Sequence, residues 1–142
     1  MKILVCKCEE PFKKVLKKAC RSYASDLFVD QPAHILDNMV IKIKFINNLG
    51  ADGYCEPITL YEDELPEEFI VCIDDSISDS KALLTLSHEF VHIKQYALGE
   101  LSPCHGVWKG EKMGKLGYYD QPWEQEADLL EAKIFENFKD NA

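Results

Sequence analysis

Three features are missing from this sequence: a long hydrophobic run, a pair of cysteines in a C-x-x-C arrangement, and a surplus of basic residues. Because a membrane-spanning helix needs about 20 apolar residues in succession, we expect no segment to cross a bilayer. The apolar run at residues 3–6 is also too short for a signal peptide. The lack of a C-x-x-C pair argues against a zinc site built from cysteines.

The charge balance is acidic, since 25 Asp and Glu residues against 16 Lys and Arg residues give a formal net charge of −9. Nucleic-acid surfaces need clustered basic side chains that bind phosphates, so we expect no nucleic-acid partner. The basic residues concentrate near the N-terminus, on a segment with helical periodicity. A solvated helix face is the usual explanation of such a cluster, and we prefer it to a membrane-binding helix.

The six cysteines are expected to be reduced thiols. Three of them lie within apolar patterns that are typical of core positions, and nothing signals secretion. Disulfides belong to oxidising compartments, whereas buried free cysteines behave as small hydrophobic residues. We therefore predict a cytoplasmic protein. Its 142 residues, 46% of them hydrophobic, fit one compact domain over residues 1–142.

Periodicity predicts the elements of a small α+β fold. Residues 1–8 are expected to form a short strand or an extended arm, and an amphipathic helix is expected from Pro11 onwards. Alternation of apolar and polar residues predicts strands at 39–46, 54–61 and 69–73. We expect a small, mostly antiparallel sheet that is covered by the N-terminal helix.

The most informative stretch is an H-E-x-x-H motif inside an apolar segment. His88 and His92 are four residues apart and so lie on one face of a helix, where both imidazoles can reach one metal ion. Glu89 lies beside this face, where a glutamate can take a proton from the attacking water, as in zinc peptidases. The simpler interpretation is a core helix with two hydrogen-bonded histidines. That interpretation leaves costly buried polar groups without a purpose.

Helix signals surround the motif on both sides. The motif helix is predicted from about Ser80 to Leu98, with Gly99 as its C-terminal cap. Residues 102–117 are expected to form an irregular loop or a small hairpin. The last helix begins near Asp120-Gln121-Pro122, where Asp can cap and Pro is tolerated in the first turn. Its apolar face is formed by Trp123, Ala127, Leu130, Ile134 and Phe138.

A catalytic zinc ion takes three protein ligands and keeps one position for water, so a third ligand is expected after the motif. Two residues compete for this role: Glu124 in the last helix and His105 in a glycine-containing loop. Asp128, one turn after Glu124, would accept a hydrogen bond from a ligating histidine. Glu124 also has an ordinary explanation as an acid favoured near a helix start. The residues by themselves leave both ligands open.

The glutamate motif after H-E-x-x-H resembles a known arrangement. Glu124, Ala127 and Asp128 resemble the gluzincin motif shared by thermolysin-like enzymes, membrane CAAX-type peptidases and the repressor-cleaving metallopeptidases of mobile elements. The chain is also similar, over residues 80–132, to a set of small zincin-like proteins frequent in phages and bacteria. The segments that carry this similarity are residues 86–92, 108–110 and 119–127.

A second resemblance concerns the competing ligand. His105-Gly106 resembles the SprT-like proteases, whose third zinc ligand is a histidine in an H-G setting. This chain lacks the cysteine zinc ribbon of those proteases and carries a fuller glutamate motif. We therefore favour Glu124 over His105.

The gluzincin resemblance implies an α+β zincin-like fold in which a C-terminal helix supplies the third ligand. It implies Zn²⁺ bound by His88, His92 and Glu124. It further implies peptide-bond hydrolysis in which Glu89 acts as general base and then as acid towards the leaving amine. In zinc peptidases generally, an edge strand beside the metal pairs with the extended substrate. We expect the strand at 69–73, just before the motif helix, in this role.

Several alternatives remain at this stage. The group that stabilises the oxyanion is expected to be Tyr118, Tyr119 or His105. One rival function is a SprT-like site with His105 as ligand, and another is a non-catalytic zinc-binding interaction module, which would not need Glu89. A third is a sensor protease that cuts one partner, such as a repressor. In each protease reading the partner is a peptide or protein substrate.

Overall fold

The structure is a computed structural model that describes residues 1–59, 64–103 and 106–142. These residues form a four-stranded sheet, four α-helices, a two-stranded hairpin and one 3-10 turn. In chain order the elements are β1 (Lys2–Cys6), α1 (Phe12–Leu27), α2 (Ala33–Asp37), β2 (Val40–Ile46), β3 (Gly53–Ile58), β4 (Glu68–Asp74), α3 (Asp79–Ala97), β5 (Val107–Trp108), β6 (Glu111–Lys112), the 3-10 turn (Tyr118–Asp120) and α4 (Pro122–Asp140).

The main sheet is mixed and has the strand order β1-β2-β4-β3. β1 pairs in parallel with β2 and β2 pairs in parallel with β4, whereas β3 pairs antiparallel with β4. The prediction of a mostly antiparallel sheet is therefore wrong. Parallel neighbours need a long crossover, and α1 provides one between β1 and β2. The α+β class itself agrees with the prediction.

The position of β4 also differs from expectation. The strand at 69–73 was expected at the sheet edge, but β4 lies inside the sheet, between β2 and β3. Its near-continuous apolar sequence fits this position, because a strand with neighbours on both sides is buried. The edge strand on the motif-helix side is β3.

The core lies on one face of the sheet, where α1, α3 and α4 pack together. Alternate strand residues point into it, and their neighbours in sequence, such as Leu4, Lys42 and Lys44, are partly or fully exposed. The predicted helix from Pro11 is confirmed as α1, whose buried residues are Leu16, Ala19, Cys20, Tyr23 and Ala24. The strand residues of this core are Ile3, Val5, Ile41, Ile43, Phe69, Val71 and Ile73.

Helix α3 begins and ends as its sequence predicts, within one residue. The Ser78 hydroxyl accepts a hydrogen bond from the Lys81 N–H at 3.1 Å, which caps the first turn. Gly99 follows the helix with a φ of +73°, the left-handed conformation that glycine adopts easily. Most of the helix is buried, including the motif residues Glu89 and His92.

Helix α4 starts slightly later than expected. Asp120 belongs to the preceding 3-10 turn, and Gln121 occupies the cap position without a side-chain cap. Pro122 stands in the first turn, where its missing N–H costs nothing. The chain therefore enters α4 through the turn at Tyr118–Asp120, which places both tyrosines near the helix start.

Two further features bear on the sequence predictions. The described cysteines, Cys6, Cys8, Cys20, Cys55 and Cys72, are free thiols. No helix in the described ranges has the length and apolar character needed to cross a membrane.

Candidate metal centre

Helix α3 presents its two motif histidines on the side turned towards α4. Their ring centroids lie 5.0 Å apart. The opposite side of the helix carries Leu86, Phe90 and Ile93, which are fully buried in the core. Because these apolar residues fix which side of α3 faces the sheet, both imidazoles face away from it and towards a cleft.

Helix α4 brings Glu124 to the two histidines. Glu124 Oε2 lies 3.0 Å from His88 Nε2, and Glu124 Oε1 lies 2.8 Å from His92 Nε2. One donor atom from each of the three residues lies within 4.8 Å of the other two. Close packing of α4 on α3 makes this possible, since the small, fully buried Ala127 sits one turn after Glu124.

The donor set fits Zn²⁺. Two imidazole nitrogens and a carboxylate oxygen are preferred zinc ligands, with bonds of about 2.0–2.2 Å. A tetrahedral ion with such bonds separates its donors by about 3.4 Å. The observed separations from Glu124 to the imidazoles, 2.8 and 3.0 Å, need to widen only slightly. Three protein donors leave the fourth position free, as a catalytic zinc site requires.

The other nitrogen of each imidazole is also engaged. The His88 Nδ1–H donates to Glu131 Oε2 at 3.0 Å, and Asp128 Oδ1 lies further away, at 3.5 Å. The His92 Nδ1–H donates to Gln95 Oε1 at 2.8 Å. Such bonds hold the Nε2 lone pairs towards a metal ion. The predicted partner Asp128 is thus the more distant acceptor, and sequence reasoning missed Glu131 and Gln95.

A second group of possible metal donors overlaps with the first. It consists of His88, Asp128 and Glu131, and it uses Nδ1 of the same histidine. A neutral imidazole offers one lone pair and one N–H. Because a carboxylate can only accept, the His88 Nδ1–H donates to Glu131, while Asp128 Oδ1 lies further away at 3.5 Å. A metal ion at Nε2 would leave this Nδ1 proton in place.

Electrostatics at the three donors favour a positive charge between them. Burial lowers the pKa of His88, but the hydrogen bond with Glu124 and the surrounding carboxylates outweigh it and raise the pKa to about 9. The pKa of His92 is raised by the same balance. Burial raises the pKa of Glu124, yet the hydrogen bonds from both histidines hold it far below its usual range. A divalent cation bound between the three side chains would supply such a charge in place of protons.

Glu89 lies deep in the site without contacting the donor triad through a hydrogen bond. Its exposed fraction is 5%. Burial raises the pKa of Glu89, although the positive charges of His92 and His88 oppose the rise. The side chain points towards the start of β3, where a Cβ built on Gly53 would lie 3.8 Å from Glu89 Cγ. A desolvated carboxylate beside a candidate metal site is a candidate general base.

A cleft of about 480 Å³ opens over the triad and Glu89. The start of β3 and the residues before it form one wall, and the 3-10 turn with the first turns of α4 forms the other. Within the described residues β3 pairs only with β4. Its first residues, Gly53, Tyr54 and Cys55, line the cleft, so this free edge borders it. The residues that line the cleft include Asp52, Tyr54, Cys55, Lys81, Thr85, Tyr96, Leu101 and Trp123.

The structure distinguishes Tyr118 from Tyr119, two of the three residues predicted to stabilise an oxyanion. Tyr118 lines the cleft, and its hydroxyl lies 3.5 Å from Asp128 Oδ1. Tyr119 is 85% exposed and packs edge-on against the Tyr118 ring. His105, which was predicted as an alternative ligand and oxyanion group, lies outside the described residues. Of the two candidate tyrosines, Tyr118 is therefore the one that lines the cleft.

Comparisons with protein-family profiles, with curated proteins and with solved structures found no match to this chain. A function can therefore be inferred only from the geometry and chemistry of the site itself.

Proposed function

We propose that this chain is a zinc-dependent peptidase of the gluzincin type. In this proposal His88, His92 and Glu124 hold the ion and Glu89 is the catalytic base. The observation that carries it is a buried glutamate beside a His, His, Glu donor set in an open cleft. A zincin-like fold belongs to the same proposal.

The division of labour follows from the positions of the side chains. When bound, Zn²⁺ would supply Lewis acidity that polarises the scissile carbonyl and acidifies water. Glu89 accepts a proton from the attacking water and later gives it to the leaving amine, so that the peptide C–N bond breaks with protons balanced. Tyr118, at the rim of the cleft, donates its O–H to the developing oxyanion.

The substrate class is inferred from the outer edge of β3. An unpaired strand edge offers main-chain N–H and C=O groups to another extended chain. Because this edge borders the cleft, a peptide that pairs with it would pass over the donor triad. Extended or locally unfolded polypeptide is therefore the expected substrate, with cleavage near the residues that lie opposite Glu89.

Burial of Glu89 supports catalysis over a purely structural metal site. A structural zinc ion needs no base, and a buried carboxylate without an ion pair lowers the stability of the fold. Glu89 makes no ion pair within 4 Å among the described residues. A non-catalytic interaction module would have no reason to retain it.

The test compares the parent protein with Glu89→Gln. Purified without chelators, both should contain about one zinc ion per chain by elemental analysis. The parent should cleave members of a quenched-fluorescence peptide library, and the variant should be at least about a hundredfold slower. Equal cleavage by the two proteins would contradict the mechanism, because the observed hydrolysis would then not depend on Glu89. A co-purified protease would give that result. Absence of zinc from the parent, with no uptake on addition, would reject the metal site.

A further inference from the structure

Gln95 is a fully buried polar residue on α3, one turn after His92. Its Oε1 accepts a hydrogen bond from the His92 Nδ1–H at 2.8 Å. Its Nε2 donates to the main-chain carbonyl of Trp123 at 2.9 Å and to Glu126 Oε1 at 3.1 Å. Both ends of the amide are therefore paired, one with a proposed ligand and the other with α4.

The partners of the Nε2 end fix which way the amide faces. A main-chain carbonyl accepts hydrogen bonds and cannot donate, and the Glu126 oxygen is also contacted by the Lys94 ammonium at 3.2 Å. An amide turned the other way would place its oxygen against two acceptors. Gln95 must therefore direct its oxygen towards His92.

This orientation determines the tautomer of the imidazole. An amide oxygen can only accept, so His92 must carry a proton on Nδ1. When the ring is neutral, the lone pair then lies on Nε2, the atom that faces Glu124. The same Gln95 amide holds the carbonyl of Trp123, the residue before Glu124, and so ties the imidazole to the first turn of α4.

We propose that Gln95 is a positioning residue that sets the tautomer and ring orientation of His92 for metal binding. Hydrogen bonds to α4 fix the orientation of the Gln95 amide itself. This inference rests on the proposed zinc site. Carboxylates and main-chain carbonyls commonly accept the second N–H of a ligating histidine. Here the acceptor is a neutral amide.

Two variants at this position separate the acceptor from the rest of the side chain. Gln95→Leu removes both ends of the amide and should weaken zinc binding by about tenfold to a hundredfold. Gln95→Glu restores an acceptor for the His92 Nδ1–H, although its second oxygen faces Trp123 and Glu126. It should therefore bind zinc more tightly than Gln95→Leu while its metal-free form is less stable than the parent. Competition with a chromogenic chelator measures the affinity, and thermal unfolding of metal-free protein measures the stability.

Ser87→Ala is the matched control. Ser87 is also fully buried on α3. Its hydroxyl donates to the main-chain carbonyl of Leu84 at 2.5 Å and lies 3.2 Å from that of Glu131 on α4. It contacts no imidazole nitrogen. The control should lose stability and keep the zinc affinity of the parent. With Co²⁺ in place of zinc, the visible absorption bands should shift in Gln95→Leu and stay unchanged in Ser87→Ala.

The outcomes distinguish the two proposals. If the parent binds neither Zn²⁺ nor Co²⁺, the proposed function fails and this inference fails with it. If the parent binds zinc but Gln95→Leu binds it equally well, the inference alone is overturned. It is also overturned if Gln95→Glu binds no better than Gln95→Leu, or if Ser87→Ala loses as much affinity, because packing would then explain the effect.

Discussion

At the residue scale, Glu124 is the side chain that joins the two helices of the site. Each of its carboxylate oxygens contacts a different imidazole. A ligand at this position depends on α4 lying against α3, so its contribution can be measured by removing one carboxylate. His105 lies outside the described residues, so its contribution to zinc binding must be measured by comparing variants at the two positions.

Glu124→Ala is expected to weaken zinc binding by more than the tenfold to roughly hundredfold loss that is usual for residues that only orient a ligand. His105→Ala should leave the affinity near that of the parent, since the donor set is already complete without it. Chelator competition on both variants provides the measurement. If His105→Ala lost the metal and Glu124→Ala kept it, the site would be of the SprT-like kind.

A second residue-scale prediction ranks the two acceptors of His88. Glu131→Ala removes the acceptor at 3.0 Å, and Asp128→Ala removes the one at 3.5 Å, which is also more exposed. Zinc affinity should fall by about tenfold or more in Glu131→Ala and by clearly less in Asp128→Ala. Glu131→Gln serves as control, because its amide oxygen can still accept from Nδ1. The reverse ranking would show that Asp128 holds the histidine.

The sequence predicted the three residues that the structure brings together, because their spacing reports helix faces directly. His88 and His92 follow from helical periodicity, and Glu124 follows from a family-like motif. Gln95 and Glu131 were not predicted as site residues, because polar residues on a helix are usually solvated. Glu131 reaches His88, and the Gln95 amide is held in place, only because α4 packs against α3, which a pattern in one helix does not show. A usable signal for Glu131 is its position two turns after Glu124, on the same face.

At the element scale, the distance between β3 and α3 depends on Gly53. A Cβ at this position would lie 2.6 Å from Thr85 Cγ2 and 2.8 Å from the main-chain oxygen of Cys72. Thr85 belongs to α3 and Cys72 to β4, so β3 or its neighbours must shift to make room for this atom. Gly53 thus permits the close approach that brings the edge strand to Glu89.

Gly53→Ala is expected to push β3 away from α3. The protein should lose about 1–3 kcal/mol of stability, as overpacked sites do, and peptide hydrolysis should fall mainly through a higher KM while zinc content stays at the parent level. Gly117→Ala is the control, because its Cβ would meet nothing within 4 Å. Steady-state kinetics, metal analysis and thermal unfolding test the pair. An unchanged KM in Gly53→Ala would show that β3 does not bind the substrate.

Strand positions were predictable from alternation, but their order was not. Val40–Ile46 and Glu68–Asp74 match the predicted strands closely. The parallel pairing of β2 with β1 depends on α1, which carries the chain back along the sheet between the two strands. The sequence pattern of one strand does not contain this information, and the sequence therefore predicts a mostly antiparallel sheet instead of the mixed one. The short α2 at Ala33–Asp37 was missed, since five residues give too little periodicity to detect.

At the scale of the whole molecule, a bound ion would link two helices that are distant in sequence. Zinc at about 1,000 times its Kd would stabilise the fold by about 4 kcal/mol. For a chain of this length that corresponds to a rise in Tm of roughly 8–16 °C. Calorimetry with and without a chelator should show this difference in the parent, and Glu124→Ala should lose most of it. An equal Tm in both conditions would contradict metal binding between α3 and α4.

The cleft is assembled from two parts of the chain with different duties. Helices α3 and α4, between Asp79 and Asp140, carry every proposed ligand, the base and the residues that orient them. The wall that would meet the substrate comes from β3, which contributes no ligand. In the proposed enzyme, substitutions in β3 beyond Gly53 could alter which peptides are accepted while the metal chemistry stays intact. Substrate preference could then diverge among descendants of this protein faster than catalysis.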